Sequence, residues 1–108
     1  MKTEFDTAVK ANLEQLIDYS NEAIVSKTLI KKDTGTVTLF AFDKGQGLSE
    51  HTAPFNAMVQ VVDGVGSIYI DKVEHQVSSG EFIVMPANIS HSLEANERFK
   101  MLLIMIKS

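Results

Sequence analysis

Residues 45–64 read GQGLSEHTAPFNAMVQVVDG and residues 80–91 read GEFIVMPANISH. In the first stretch Gly45 is followed after five residues by His51, and the run closes at Gly64. In the second, Gly80 is followed after five residues by Pro86, then Asn88 and His91. Each fixed residue has a local reason. An Asp-Gly pair such as Asp63-Gly64 supplies the positive φ that a tight hairpin requires, and Gly80 ends the Ser78-Ser79 turn in the same way. Pro86 has a fixed φ and no N–H to give a ladder, so it belongs where the run EFIVM stops. Asn88 is a residue able to enter the left-handed region. Two imidazoles brought together from separate strands would form half of a metal site.

The pattern around these stretches is that of strands. From Ala23 onward the chain breaks into short segments rich in Val, Ile, Thr, Phe and Tyr, separated by turn residues. The segments are IVSKTLI, TVTLFAF, LSEHTA, AMVQVV, SIYI, VEHQV, EFIVMP, SHSLEA and FKMLLIMI. About nine strands with a turn signal every eight to twelve residues predict an antiparallel sandwich or closed barrel, not a parallel sheet with crossover helices. Residues 1–19 carry a helix-like spacing at Val9, Leu13, Leu16 and Ile17 without Gly or Pro, which predicts a short helix or turn there. The expected division is an arm over 1–22 and a barrel over 23–108, together one domain.

Side chains alternate along a strand, so Ala57, Val59 and Val61 share one face while Met58, Gln60 and Val62 share the other. The last strand, FKMLLIMI, is apolar on both faces after Lys100. It is expected to be central in its sheet or covered by another chain.

Composition excludes several classes of function. Ten Lys plus Arg stand against fourteen Asp plus Glu, a net charge of -4 with the basic residues scattered, so a nucleic-acid partner lacks its electrostatic source. No cysteine is present, which removes disulfides, iron–sulfur clusters and thiolate zinc sites. The first fifteen residues hold early acids and no apolar core of the signal-peptide kind, and no apolar run approaches the roughly 20 residues of a membrane helix. A cytoplasmic protein with no membrane contact is expected. Gly45-Gln46-Gly47 is too short to act as a phosphate loop, so no nucleotide is expected; haem is not expected either.

The two opening stretches resemble the paired motifs of the cupin family, Gly-x5-His-x-His-x3-Glu-x6-Gly and Gly-x5-Pro-x-Gly-x2-His-x3-Asn. Gly45, His51, Gly64, Gly80, Pro86 and His91 fall in register with no gap inside either motif, and fifteen residues separate Gly64 from Gly80. The resemblance implies an all-β, antiparallel double-stranded β-helix or jelly-roll barrel over about residues 35–108, with a short N-terminal helical or extended arm. It also implies a homodimer and a metal held by three His and one Glu. This chain departs from the family at the ligands: the second His is Ala53 and the Glu is Ala57.

The site expected on these grounds has His51 and His91 as metal donors, with Gln60 or His75 as a third. Its pocket is expected to include Ala53, Ala57, Met58, Val59, Met85 and Phe42. Parity carries Gln60 away from Ala57 unless a bulge shifts the register, and His75 could face inward with Val73 and Val77. Zn, Ni, Fe or Mn normally takes three or four protein donors. Two imidazoles and two methyl groups therefore suggest a binding pocket for a small molecule, with or without a divalent transition metal. A metal-dependent oxygenase, isomerase or cyclase, and a sensor or interaction module with a degenerate site, are the other functions open to such a sequence.

Overall fold

The computed structural model describes residues 5–107. Eight antiparallel strands follow the arm: β1 (Ile24–Lys32), β2 (Gly35–Phe42), β3 (Gly47–His51), β4 (Ala57–Ile70), β5 (Val73–Ser78), β6 (Phe82–Met85), β7 (His91–Glu94) and β8 (Phe99–Ile106). The main path of pairing runs β1-β2-β8-β4-β7-β3, with β5 and β6 also paired to β4. One half of the barrel is β1, β2, β8, β4 and β6; the other is β5, β4, β7 and β3.

The segments AMVQVV and SIYI, expected as two strands joined by a hairpin at Asp63-Gly64, form the single strand β4. Residues 57–64 pair with β8, and residues 65–70 pair with β5 and β7. A bulge between Val61 and Asp63 and the positive φ of Gly64, 75°, bend the strand from one half-barrel into the other. The left-handed residue that would close a hairpin instead turns a corner. The expected tight turn at Asp71-Lys72 is present, with φ of 50° and 66°. These values are what a two-residue hairpin needs to match the strand twist.

Parity builds two apolar layers. Phe42, Ala57, Val59, Val61, Met101 and Phe99 fill the barrel interior together with Ile68 and Leu93 from the other half. On the opposite face of β2 and β8, Leu39, Ala41 and Leu102 pack against Leu13, Leu16, Ile17 and Tyr19 of the arm. Strand β8 lies between β2 and β4, so it is central, as its two apolar faces require, and is not a sheet edge. Much of its second face is covered by the chain's own arm.

Over the described residues 5–22 the arm is largely extended and contains one 3₁₀ turn, Leu13–Gln15, capped by the Asn12 side chain, which accepts from the Glu14 N–H at 3.0 Å. Its apolar residues bind the sheet without forming an α-helix, and Ala8, with φ of 61°, interrupts any helical path. Polar contacts fix the arm at one end of the barrel. The Lys100 ammonium donates to the Glu14 carbonyl at 2.6 Å and lies 4.9 Å from the centre of the Tyr19 ring, while the Tyr19 hydroxyl donates to Asp63. Burial, and then the Asp63 carboxylate, push the Tyr19 pKa well above that of an ordinary phenol.

Tyr19→Phe is expected to lower stability by about 1 kcal/mol, the scale of one hydrogen bond to a partly buried acid. Because the folded state raises this pKa, Tyr19 contributes fully below the ordinary tyrosine value and progressively less above it. Urea unfolding should therefore show a wild-type midpoint that falls as pH rises past about 10, with a shallower fall in the Tyr19→Phe variant. Parallel slopes in the two proteins would assign the alkaline loss to other groups.

Candidate ligand-binding site

His51 and His91 face each other across β3 and β7. Their meeting depends on a bulge. Leu48 pairs with Leu93 and His51 with His91, so three steps along β3 oppose two along β7. Without the extra residue, Leu48 and His51 would lie on opposite faces. With it, both turn into the same cavity.

The two Nε2 atoms are 3.0 Å apart, with ring centres at 4.3 Å and ring planes at 70°. Each Nδ1 points at a carbonyl two residues earlier, His51 at Ser49 at 2.8 Å and His91 at Ile89 at 3.3 Å. A carbonyl only accepts, so each Nδ1 carries a hydrogen, and in the neutral rings both Nε2 atoms present lone pairs. Two facing lone pairs repel unless a proton, a donor group or a metal ion lies between them. His91 is 6% exposed. Burial lowers its pKa below that of an ordinary histidine; the Ile89 carbonyl opposes that shift, and the nearby His51 ring adds to it.

The rest of the wall is apolar. A cavity of about 50 Å³ is lined by Leu48, Ala53, Phe55 and Ala57, by Met85 and Leu93, and by Met101, Leu103 and Met105, beside the two histidines. The loop at its mouth is tied down: the Asn88 N–H donates to the Ala53 carbonyl at 2.7 Å, and the Ala87 N–H to the Asn56 side chain at 2.8 Å. Asn88 sits at φ of 64°, the left-handed conformation expected of it. A space of this size holds a few non-hydrogen atoms, far less than the roughly 300 Å³ or more of drug-sized sites. A larger open groove of about 520 Å³ runs along residues 45–50 and 92–96, but neither histidine lines it.

Of the expected pocket residues, Ala53, Ala57 and Met85 line the cavity. Val59 and Phe42 point inward but lie in the filled part of the core and are fully buried. Met58 is on the outer face, opposite Val84 and Ile104. Leu48, Phe55, Leu93, Met101, Leu103 and Met105 line the cavity in addition. Leu48 needs the bulge to face inward, whereas Leu93 is two residues from His91 on the same strand and was accessible by parity.

Neither candidate third donor reaches the histidines. Gln60 keeps its outward parity, between Phe82 and Leu102, because the bulge in β4 falls after it. His75 lies opposite Ile68 on β5, with β4 separating it from β7, so roughly 10 Å of sheet lies between it and His91. Among the described residues no group of three or more His, Cys, Asp or Glu converges on one point. Two nitrogens 3.0 Å apart are within reach of one ion at bond lengths of about 2.0–2.1 Å, and Nδ1–H groups on carbonyls are the usual support of histidine ligands. The pair thus fits two positions of a coordination sphere and falls short of a complete site for Zn, Ni, Fe or Mn.

An antiparallel barrel of two facing half-sheets that share one bent strand, with histidines meeting inside one end, is the double-stranded β-helix architecture. The cupin domain model matches residues 38–107, and the chain belongs to the cupin family. It is similar to a conserved protein of unknown function from Streptococcus pyogenes, with 36% identity and a TM-score of 0.92 over 97% of this chain and 92% of that one. It is also similar to a cupin 2 conserved barrel domain protein from Leptotrichia buccalis, with 45% identity and a TM-score of 0.87 over 90% of this chain, which spans 47% of that one. Salicylate 1,2-dioxygenase from Pseudoaminobacter salicylatoxidans shares 14% identity at a TM-score of 0.70 over 77% of this chain and 26% of its own, a likeness of fold alone. No curated protein matches the chain. Among the described residues no helix is long and apolar enough to cross a membrane.

Proposed function

We propose that this cupin is a binding protein for a small, largely apolar molecule that docks a hydrogen-bond donor, or an oxygen carried by a divalent metal ion, against His51 and His91. The observation that carries this reading is the facing of two bare Nε2 atoms at 3.0 Å in an otherwise apolar cavity. Such a pair accepts, so its complement is a hydroxyl or amine hydrogen, or a Lewis acid. A divalent ion there would have His51 and His91 as its protein ligands, with water or ligand oxygen completing the sphere; bound, it would supply Lewis acidity. Binding is favoured over turnover as an oxygenase, isomerase or cyclase. The cavity wall offers no carboxylate, hydroxyl or amine that could act as a further acid or base.

The test compares the wild type, purified without an affinity tag, with the His51→Ala, His91→Ala double variant. Calorimetric titration with Zn²⁺ is expected to give weak binding that falls at least tenfold in the double variant, since two of the ion's donors are removed. A ligand-observed NMR screen of two- to four-carbon alcohols and amines is expected to give hits that disappear in the same variant. Equal zinc binding and equal hits in the two proteins would overturn the proposal.

A further inference from the structure

Ala57, which puts a methyl group in the cavity wall, has a methionine on each side. Strand pairing sets Met85 of β6 opposite it along one edge of β4 and Met105 of β8 opposite it along the other. Residues directly opposite in an antiparallel ladder point to the same face, with Cβ atoms about 4.5–5.5 Å apart. Ala57 faces the interior, so both thioether side chains do too, and both line the cavity that His51 and His91 line. Met101 is also in the wall, but it pairs with Val61, further along β4. Neither Met85 nor Met105 belongs to the ligand set of three His and one Glu that the cupin motifs imply.

We propose that the Met85 and Met105 sulfurs join the His51 and His91 Nε2 atoms in a site for one soft monovalent cation, Cu(I). With the histidine pair accepting a Lewis acid, the reading on which this rests, the rest of the wall decides which one. Thioether sulfur is a soft donor that selects Cu(I), whereas Zn, Ni, Fe and Mn are served by imidazole, carboxylate or thiolate. Charge points the same way. Imidazole and thioether are neutral, and among the described residues no acidic or basic side chain other than the two histidines lines the cavity. An ion held there keeps its full charge in apolar surroundings. The desolvation cost rises with the square of the charge, so a divalent ion costs about four times as much to bury as a monovalent ion of like size.

The dimensions and the mobility of the donors also fit. A cavity of about 50 Å³ suits an ion with its donor atoms better than a drug-sized ligand. Each histidine ring is held at Nδ1 by a backbone carbonyl, so the two nitrogens are fixed in direction. Methionine is unbranched and its thioether is polarizable, so the sulfurs can close on an ion that the rings have placed. Cu(II) is less well served than Cu(I), because it prefers a tetragonal set of nitrogen and oxygen donors and the wall adds only sulfur to the two imidazoles.

The experiment titrates the untagged full chain with Cu(I), kept reduced under argon, in competition with a coloured Cu(I) chelator. The wild type is expected to bind one Cu(I) on the order of a hundredfold more tightly than Zn²⁺. In the Met85→Leu, Met105→Leu variant the Cu(I) affinity is expected to fall at least about tenfold, and the preference over Zn²⁺ to shrink with it. Leucine is close to methionine in volume, so the barrel should keep its circular dichroism. X-ray absorption of the wild-type Cu(I) complex needs no variant and is expected to show sulfur neighbours beside the imidazole nitrogens. Cu(I) bound no more tightly than Zn²⁺, an unchanged Cu(I) affinity in the leucine variant, or a copper spectrum without sulfur each overturns the proposal. Failure of the underlying reading looks different: zinc binding and alcohol hits would then survive the loss of both histidines, whatever the methionines do.

Discussion

Gly64→Val is expected to destabilise the protein by about 3–5 kcal/mol, enough to unfold much of a domain whose whole stability lies in the usual range of roughly 5–15 kcal/mol. Two effects combine. Gly64 has φ of 75°, a conformation strained for a β-branched residue by about 1–3 kcal/mol. A Cβ there would also lie 2.4 Å from the Arg98 carbonyl oxygen and 3.1–3.2 Å from Phe99. The first obstacle is backbone immediately before β8 and cannot swing aside, so β4 and β8 would have to part at the corner. The site suffers with the fold, since the same strand supplies Ala57 before the corner and, beyond it, the ladder that holds His91 against Ile70. Urea unfolding followed by circular dichroism measures the loss, with zinc titration falling in parallel. A midpoint within error of wild type would show that the corner is not where β4 is constrained.

Phe99→Ala is expected to cost about 3–5 kcal/mol, the range for truncating a buried phenylalanine. Phe99 is fully buried and stacks on Phe42, with ring centres 4.8 Å apart and planes at 12°. Its ring also lies against Gly66, where a Cβ would come within 2.6 Å of Cε2. That closeness gives the prediction a second arm. Gly66→Ala alone should be destabilising, because the ring has no room to retreat in a filled core. In the Phe99→Ala background the same methyl enters vacated space, so its cost should shrink or reverse, a coupling of more than about 1 kcal/mol. Additive effects in the double-mutant cycle would mean that Gly66 and Phe99 do not share that space.

Gly64 has a conformation that is legible locally and a role that is not. Asp63-Gly64 is a strong signal for positive φ, and the backbone at Gly64 adopts it. The same φ serves a two-residue hairpin and a bulged corner, and the choice depends on what pairs on either side. At Asp71-Lys72 the flanking residues Ile70 and Val73 pair with each other, and the turn is a hairpin. At Gly64 the following residues pair with β5 and β7, and the strand continues.

The two apolar faces of β8 pose the same difficulty. They are visible in FKMLLIMI and require cover, yet the sequence does not distinguish a partner chain from the protein's own arm. Leu13, Leu16 and Ile17 supply the cover for Leu39, Ala41 and Leu102. The helical spacing that drew attention to them reflects residues needed on one side of an extended segment.

The sequence by itself determined the family, the all-β barrel and the positions of His51 and His91, because these rest on residues whose constraint is local. Glycine and asparagine allow φ values that other residues avoid, proline ends a ladder, and strand parity repeats every two residues. Tertiary structure alone decided that the two Nε2 atoms meet, that Gln60 and His75 stay away, and that Leu48 shares the cavity. The meeting of the histidines and the place of Leu48 depend on a single-residue shift between β3 and β7, which moves a side chain to the other side of the sheet; Gln60 keeps its parity because the bulge in β4 falls after it, and His75 is held off by β4 lying between β5 and β7. These bulges, within β3 and after Val61 in β4, are set by long-range pairing that no short stretch of the chain encodes.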